Sequence, residues 1–536
     1  VKHVNHQAIG IAAGPKAPFL RVNKMTAALS TVMLGMSMTS AWADAETDAR
    51  IAQLQQMLEA QQQQMQVLAN ELKALKATSI KPAEPQPIIA TEEKLQLREQ
   101  QSKIEAMADQ LKTLQSARGQ STGQPVYANF KNGLSFEDGS GAWKLGINGR
   151  VQADYRSFAP DIAAPDTFNI RRARLGANVA MKDVAARLEA EYSGTANNGS
   201  VGLTYAHVDY NRFNGFKLRA GQFKPFYGLE RAMNANFTDF QERGSTDYLL
   251  GPTFDRGVMV FGEPIPGLFY NASWTDGKGV NTTTANGDET DAKYDNKDGL
   301  VRVVGNIAQF AGWKDSVVHM GGFYAKGQQE PGSITTLNVQ TEGRGYTVFS
   351  TDTFTRAVDR SRQGYELALA HGPLKFQTEH IQEKFDGSNF DRDLTAWYAS
   401  INWIVTGETF ASTYKDGMFG RLRPKQDFAW GGDGWGALQL GARYSKFDGS
   451  DFVTANAAGT GRLTTDTAGN AIRSNEFDTW TIGANWMLTP YIRLVANYVH
   501  THFDTPVTVT TPASSTNKSY TFDHEDAITM RAQFDF

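Results

Sequence analysis

Cysteine is absent from the 536 residues, so disulfide frameworks and thiolate metal sites are excluded. Beyond the N-terminal region no uninterrupted apolar run approaches the roughly 18–20 residues of a membrane helix. Proline is scarce, at 18 residues, beside 50 glycines and 11% aromatics, a balance that suits many strands joined by glycine-containing turns. An excess of charge of either sign is also missing, with 53 Lys and Arg against 57 Asp and Glu. The net charge of −4 points to no nucleic-acid partner, and the direction in which individual charges face carries more information.

What is present falls into parts. Lys16, Arg21 and Lys24 precede an apolar stretch from Met25 to Met38, and Ala41-Trp42-Ala43 supplies small residues before a cleavage after Ala43. Residues 1–43 are therefore expected to be an export signal, with Met25 a candidate for the true start. Residues 44–79 carry Ile51, Leu58, Met65 and Leu72 at seven-residue intervals, with Leu54, Gln61, Leu68 and Leu75 as the second seam. Seven of those eight positions are apolar, which predicts an α-helical coiled coil. Residues 80–90 hold Pro82, Pro85 and Pro87 and form a linker. A second heptad segment over 91–118 uses Leu97, Ile104 and Leu111 with Met107 and Leu114, and 119–125 is a further linker. Three copies in a homotrimer, or a hairpin of the two segments, would supply the partner helices.

From 126 to 536 the texture is alternation. Trp143, Leu145, Ile147, Val151, Ala153 and Tyr155 share one face, opposed by Lys144, Asn148, Arg150, Gln152, Asp154 and Arg156. Such length suits a tilted membrane-spanning strand. Leu438–Tyr444, Trp480–Leu488 and Ile492–Tyr498 repeat the pattern, with Pro490 in a turn between the last two. In the final segment Ile528, Met530, Ala532, Phe534 and Phe536 alternate with Thr529, Arg531, Gln533 and Asp535. A strand of this kind ending in an aromatic fits the last strand of an outer-membrane barrel, and the terminal Phe resembles the signal read by the barrel-insertion machinery. At roughly 25 residues per strand and connection, the region holds about 16 antiparallel strands. The predicted fold is an all-β membrane barrel preceded by a coiled coil.

If the apolar face meets lipid, Arg150, Arg156, Arg172, Arg174, Arg187, Arg219, Arg443, Arg493 and Arg531 point into the lumen. A lipid-facing Arg near the midplane would cost about 2–4 kcal/mol, which enforces that parity. Lumen arginines select anions, and their forked donors grip phosphate. The alternative is that they pair with lumen Asp154, Glu189 or Glu191 across strands. The run Ile170-Arg171-Arg172-Ala173-Arg174 has no carboxylate beside it in sequence. Strict alternation places Arg172 and Arg174 inside but Arg171 on the lipid side.

The stretches Gly149–Tyr155, Arg171–Ala173, Phe216–Arg231, Tyr398–Glu408 and the terminal strand resemble, in order, the phosphate-selective porins O and P. The likeness runs from Tyr127 to Phe536. It implies a homotrimer of 16-stranded barrels in the outer membrane that leads inorganic phosphate or related anions through a narrow constriction, without a cofactor. By that resemblance Arg150, Arg171 and Arg172 fall at constriction-lining positions, a bulge or strand end near Arg171 reconciling it with the parity reading. Gly228–Arg231 begins an inward-folding loop with Arg231 at a basic anion-ligand position, and Arg243 matches a second. Arg174 joins them by parity; Arg156, Arg187, Arg219 and Arg256 are weaker candidates. The chain departs from its relatives at Leu203-Thr204-Tyr205 and in the few arginines of Val339–Phe354, which leaves phosphate, pyrophosphate, polyphosphate and a generic anion open.

No catalytic constellation emerges. His207, His319, His371, His380 and His500 stand singly, without metal-ligand spacing, and no motif pairs Ser with His, so the chain is not read as an enzyme. Gly431–Gly434 reads as a turn, and Asp276–Asp298 as an external loop in which calcium is a remote option. The expectation is a passive anion pore with its coiled coil in the periplasm. The alternative is a barrel that mainly tethers the outer membrane to the cell wall.

Overall fold

The computed structural model describes residues 126–129, 133–193, 201–277, 279, 297–329, 337–388, 390–454, 461–465, 472–511 and 518–536. The expected signal, both coiled-coil segments and the linkers lie outside the described residues.

Two short strands, Val126–Asn129 and Leu134–Asp138, pair with each other, and the second pairs with the start of β1. The barrel strands follow: β1 (Trp143–Ala159), β2 (Thr167–Met181), β3 (Val184–Glu191), β4 (Gly202–Phe213), β5 (Phe216–Phe223), β6 (Asp255–Ile265), β7 (Leu268–Thr275) and β8 (Asp298–Asn306). Next come β9 (Ser316–Gln329), β10 (Val358–His371), β11 (Leu374–Gly387), β12 (Phe390–Ile404), β13 (Ala437–Asp448), β14 (Glu476–Met487), β15 (Ile492–Thr511) and β16 (Lys518–Asp535). Each pairs antiparallel with its neighbour, and β16 pairs with β1, so the sheet is a closed barrel of 16 strands.

Closure explains the terminal aromatic. Phe536 extends the β16–β1 ladder by exchanging backbone bonds of 3.1 and 3.0 Å with Gly149. A Cβ at Gly149 would stand 2.7 Å from the Phe536 ring, so this glycine makes the room for it.

Alternation becomes sidedness in the closed sheet. Trp480, Ile482, Tyr498, Ile528, Met530 and Phe534 are exposed on the outer wall, while Arg150, Gln152, Asp154, Arg493, Arg531 and Gln533 are buried within. Two-residue connections at 182–183, 214–215, 266–267 and 372–373 sit at one end, with left-handed backbone at Lys182, Gly267 and Gly372. Most long connections lie at the other, the 405–436 connection excepted. Short turns mark the periplasmic end of such barrels, long loops the outer end.

Three connections turn into the barrel. The 224–254 loop crosses the lumen, burying Leu229, Met233 and Phe240. The 330–357 loop carries a hairpin, Asn338–Gln340 with Thr347–Ser350, whose Phe349 packs 5.2 Å from Phe447 of β13. From the short-turn end, the 405–436 connection inserts Phe410 and Phe419 against Leu229, Met233, Val317 and Ala368.

Candidate anion site

The site forms where the crossing loop meets β1, β2 and β16. Wall side chains fix the loop along its length. Arg150 donates to the side chains of Asn234 (2.9 Å) and Asn236 (2.8 Å). Arg493 donates to the carbonyls of Asn236 (2.7 Å) and Thr238 (2.5 Å), and Arg531 to that of Gln241 (2.6 Å). On the far wall Lys375 pairs with Asp239 at 2.7 Å.

These contacts deliver Glu242 into a group of arginines. Arg531 reaches its Oε1 at 2.8 Å, Arg156 and Arg171 reach it at 3.0 Å, and Arg344 lies 3.8 Å from Oε2. Burial alone would raise the Glu242 pKa, but Arg171, Arg531, Arg344 and Arg156 hold it well below the usual carboxylate range. The group is an anion at neutral pH. Asp247 behaves alike: burial opposes ionisation, and Arg231 and Arg243 override it.

A cavity of about 380 Å³ opens beside Glu242, lined by five arginines (Arg171, Arg172, Arg174, Arg243 and Arg344) and by four carboxylates, Glu242 among them. Arg172 differs from its neighbours. Its Nη1 donates to the Gln152 side chain at 2.8 Å, and among the described residues it forms no ion pair.

The sequence candidates separate on this geometry. Arg171 reaches the lumen because β2 bulges: Gln152 faces Arg172 and Ala153 faces Ile170, leaving Arg171 as the extra residue. Strict parity, which sent it to the lipid, fails there. The apparent lack of carboxylates around Ile170–Arg174 holds in sequence only. In space Arg174 bonds Glu191 (2.6 Å) and Glu189 (3.2 Å), as Arg171 bonds Glu242. Arg150 lies 3.6 Å from Glu189, and Arg187 bonds it at 2.8 Å while stacking 3.9 Å from the Tyr205 ring. Arg156 also bonds Asp154 at 2.7 Å, and Arg219 forks onto Asp209 at 2.7 and 2.8 Å.

Arg231 sits in the turn of helix Leu229–Ala232, buried on Asp247 and on the Gly251 carbonyl at 3.2 Å, where it ties the loop to itself. Arg243 faces the cavity while its guanidinium donates to the carbonyls of Glu230 (2.9 Å) and Met233 (3.0 Å). Lys224 donates to the carbonyls of Arg231, Ala232 and Met233. Arg256 is exposed on β6, donates to Gln222 at 3.4 Å and does not line the cavity. Sequence reasoning did not find Glu242 or the part of Arg344. Both come from aperiodic loops, and the one signal near them in the sequence is the neighbouring Arg243.

A closed barrel with an apolar outer belt and a charged, loop-crossed interior is the architecture of an outer-membrane channel. The sequence profile of the phosphate-selective porin O and P family matches residues 145–536, and the chain belongs to that family of the bacterial outer membrane. Porin O of Pseudomonas aeruginosa is 24% identical over 413 residues, covering 71% of this chain and 88% of its own. Among solved structures, the anion-selective porin of Comamonas acidovorans aligns at 12% identity and a TM-score of 0.43, over 74% of this chain and 100% of its own. OprB of Pseudomonas putida aligns at 10% identity and a TM-score of 0.46, over 74% and 94%.

Proposed function

We propose that the channel passes anions down their gradient and that phosphate-like oxyanions are drawn through the arginine cavity beside the crossing loop. The observation that carries this reading is Arg172, a buried guanidinium on the cavity wall with no ion-pair partner among the described residues. An anion entering there exchanges part of its hydration for charge-assisted hydrogen bonds from a preformed fork. Arg171, Arg174 and Arg243 add positive potential around the same volume, although each also holds a carboxylate or carbonyl. The residues in view supply diffusion with selection, and no step of bond chemistry is needed.

Reversal potentials of the purified channel in planar bilayers, with phosphate, pyrophosphate and chloride in turn, test the reading. The expected result is anion selectivity with phosphate blocking chloride current. Cations passing more readily than chloride would overturn it. A homotrimer and removal of residues 1–43 on export belong to the same reading, checked by the mass of the detergent-extracted protein and its N-terminal residue.

A further inference from the structure

Four arginines on one carboxylate is more positive charge than a structural ion pair requires. Arg156 and Arg531 belong to β1 and β16 and share Asp154 as a second partner, whereas Arg171 is the bulge residue of β2. Arg344 comes from the 330–357 loop, at a left-handed turn residue held by the Arg344 N–H bond of 2.8 Å to the Thr341 carbonyl. Arg171 presents Nε at 3.0 Å to one oxygen and Nη2 at 3.4 Å to the other, the forked geometry that also fits a phosphate edge.

We propose that Glu242 is a tethered counter-anion: it occupies the oxyanion position of this arginine cluster, and a passing anion must displace it. This deepens the anion-channel reading above and rests on it. The backbone of the tether is fixed, because the Gln241 carbonyl accepts from Arg531 and the Glu242 carbonyl accepts from Arg443 through both Nη1 and Nη2 at 3.3 Å. The side chain is the part free to turn. Arg156 and Arg531 keep Asp154 when it does, so a ligand meets donors already held on β1 and β16. The adjoining cavity already carries Arg172, which donates to Gln152 but has no ion-pair partner among the described residues, giving an incoming anion a foothold before the exchange.

The exchange sets specificity. A carboxylate spreads its charge over two oxygens, and four guanidinium groups are placed to meet both. Chloride offers one spherical centre and satisfies them poorly. A phosphate or other oxyanion of two or more charges matches the two-oxygen span and outcompetes the single negative charge of the tether. Glu242 thereby acts as a threshold that lowers the current of weak or monovalent anions relative to phosphate.

The test is phosphate block of chloride current in planar bilayers with Glu242→Gln, which keeps the size and removes the charge. The half-blocking phosphate concentration is expected to fall about tenfold and the phosphate-free chloride current to rise, one charged contact corresponding to about that factor. An unchanged or raised half-blocking concentration in an anion-selective wild-type channel overturns the tethered counter-anion and leaves the anion-channel reading standing. A cation-selective wild type overturns both. Glu242→Asp, which keeps the charge and shortens the tether, gives a second reading if the glutamine variant does not assemble. Its half-blocking concentration should fall by a smaller factor, and no change overturns the proposal.

Discussion

The two sides of the lumen use the same residue for opposite ends. On the β8–β11 side each arginine has its own carboxylate. Arg302 forks onto Glu366 at 2.7 and 2.9 Å, Arg362 pairs with Asp298, and Arg360 pairs with Glu383, with every partner buried. At the outer end of that side Phe354 packs 5.3 Å from Phe385 and 5.4 Å from Phe390. On the β1, β2 and β16 side arginines crowd a shared Glu242 beside open volume. On the proposed reading, what separates structure from function is the ratio of guanidinium to carboxylate and the room beside it. Counting lumen arginines alone would not have shown it.

Breaking the closed side should have the largest effect. Glu366→Gln leaves Arg302 buried without its charge partner, and the barrel should lose about 3–5 kcal/mol of stability. The readout is a lower temperature of the folded-to-unfolded mobility shift on gels, with ion selectivity unchanged. Arg172→Gln on the open side should do the reverse. Phosphate block weakens about tenfold, about 1.4 kcal/mol, while the folding transition stays where it is. If the two variants exchange these phenotypes, the comparison is wrong.

A smaller effect follows from acidity where the sides meet. Glu230 of the crossing loop lies 3.3 Å from Arg443, but that guanidinium is shared with Glu342 at 2.5 Å. Burial therefore prevails over the partial attraction and pushes Glu230 up to about 7, from an ordinary 4.5. Between those values the folded loop holds a proton that the unfolded chain has released, so stability falls as pH rises from 4.5 to 7. The melting temperature should be lower at pH 8 than at pH 5, and Glu230→Gln should flatten that part of the profile.

Much of the barrel was legible because a membrane leaves a strand little choice: period-two alternation, the turn at Pro490 and the inward parity of Arg150, Arg172, Arg493 and Arg531 all follow from the cost of facing lipid. The bulge at Arg171 was not fixed by alternation, since one extra residue inverts parity without a compositional trace. The carboxylates that meet the arginines were harder still. Glu242 and Glu342 arrive from loops with no period, and whether an arginine is free or paired depends on where those loops land. Arg231 shows the limit: at a position the family resemblance gave to an anion ligand, it is spent on Asp247 and the loop's own carbonyls.

The crossing loop has one more consequence. It is bonded to β1, β11, β13, β15 and β16 through Arg150, Lys375, Arg443, Arg493 and Arg531, like a beam bolted to the rim of a drum. It cannot swing aside without releasing several of these fastenings together. Rearrangement inside the drum therefore falls to individual side chains, while the loop backbone moves only with the wall that carries it.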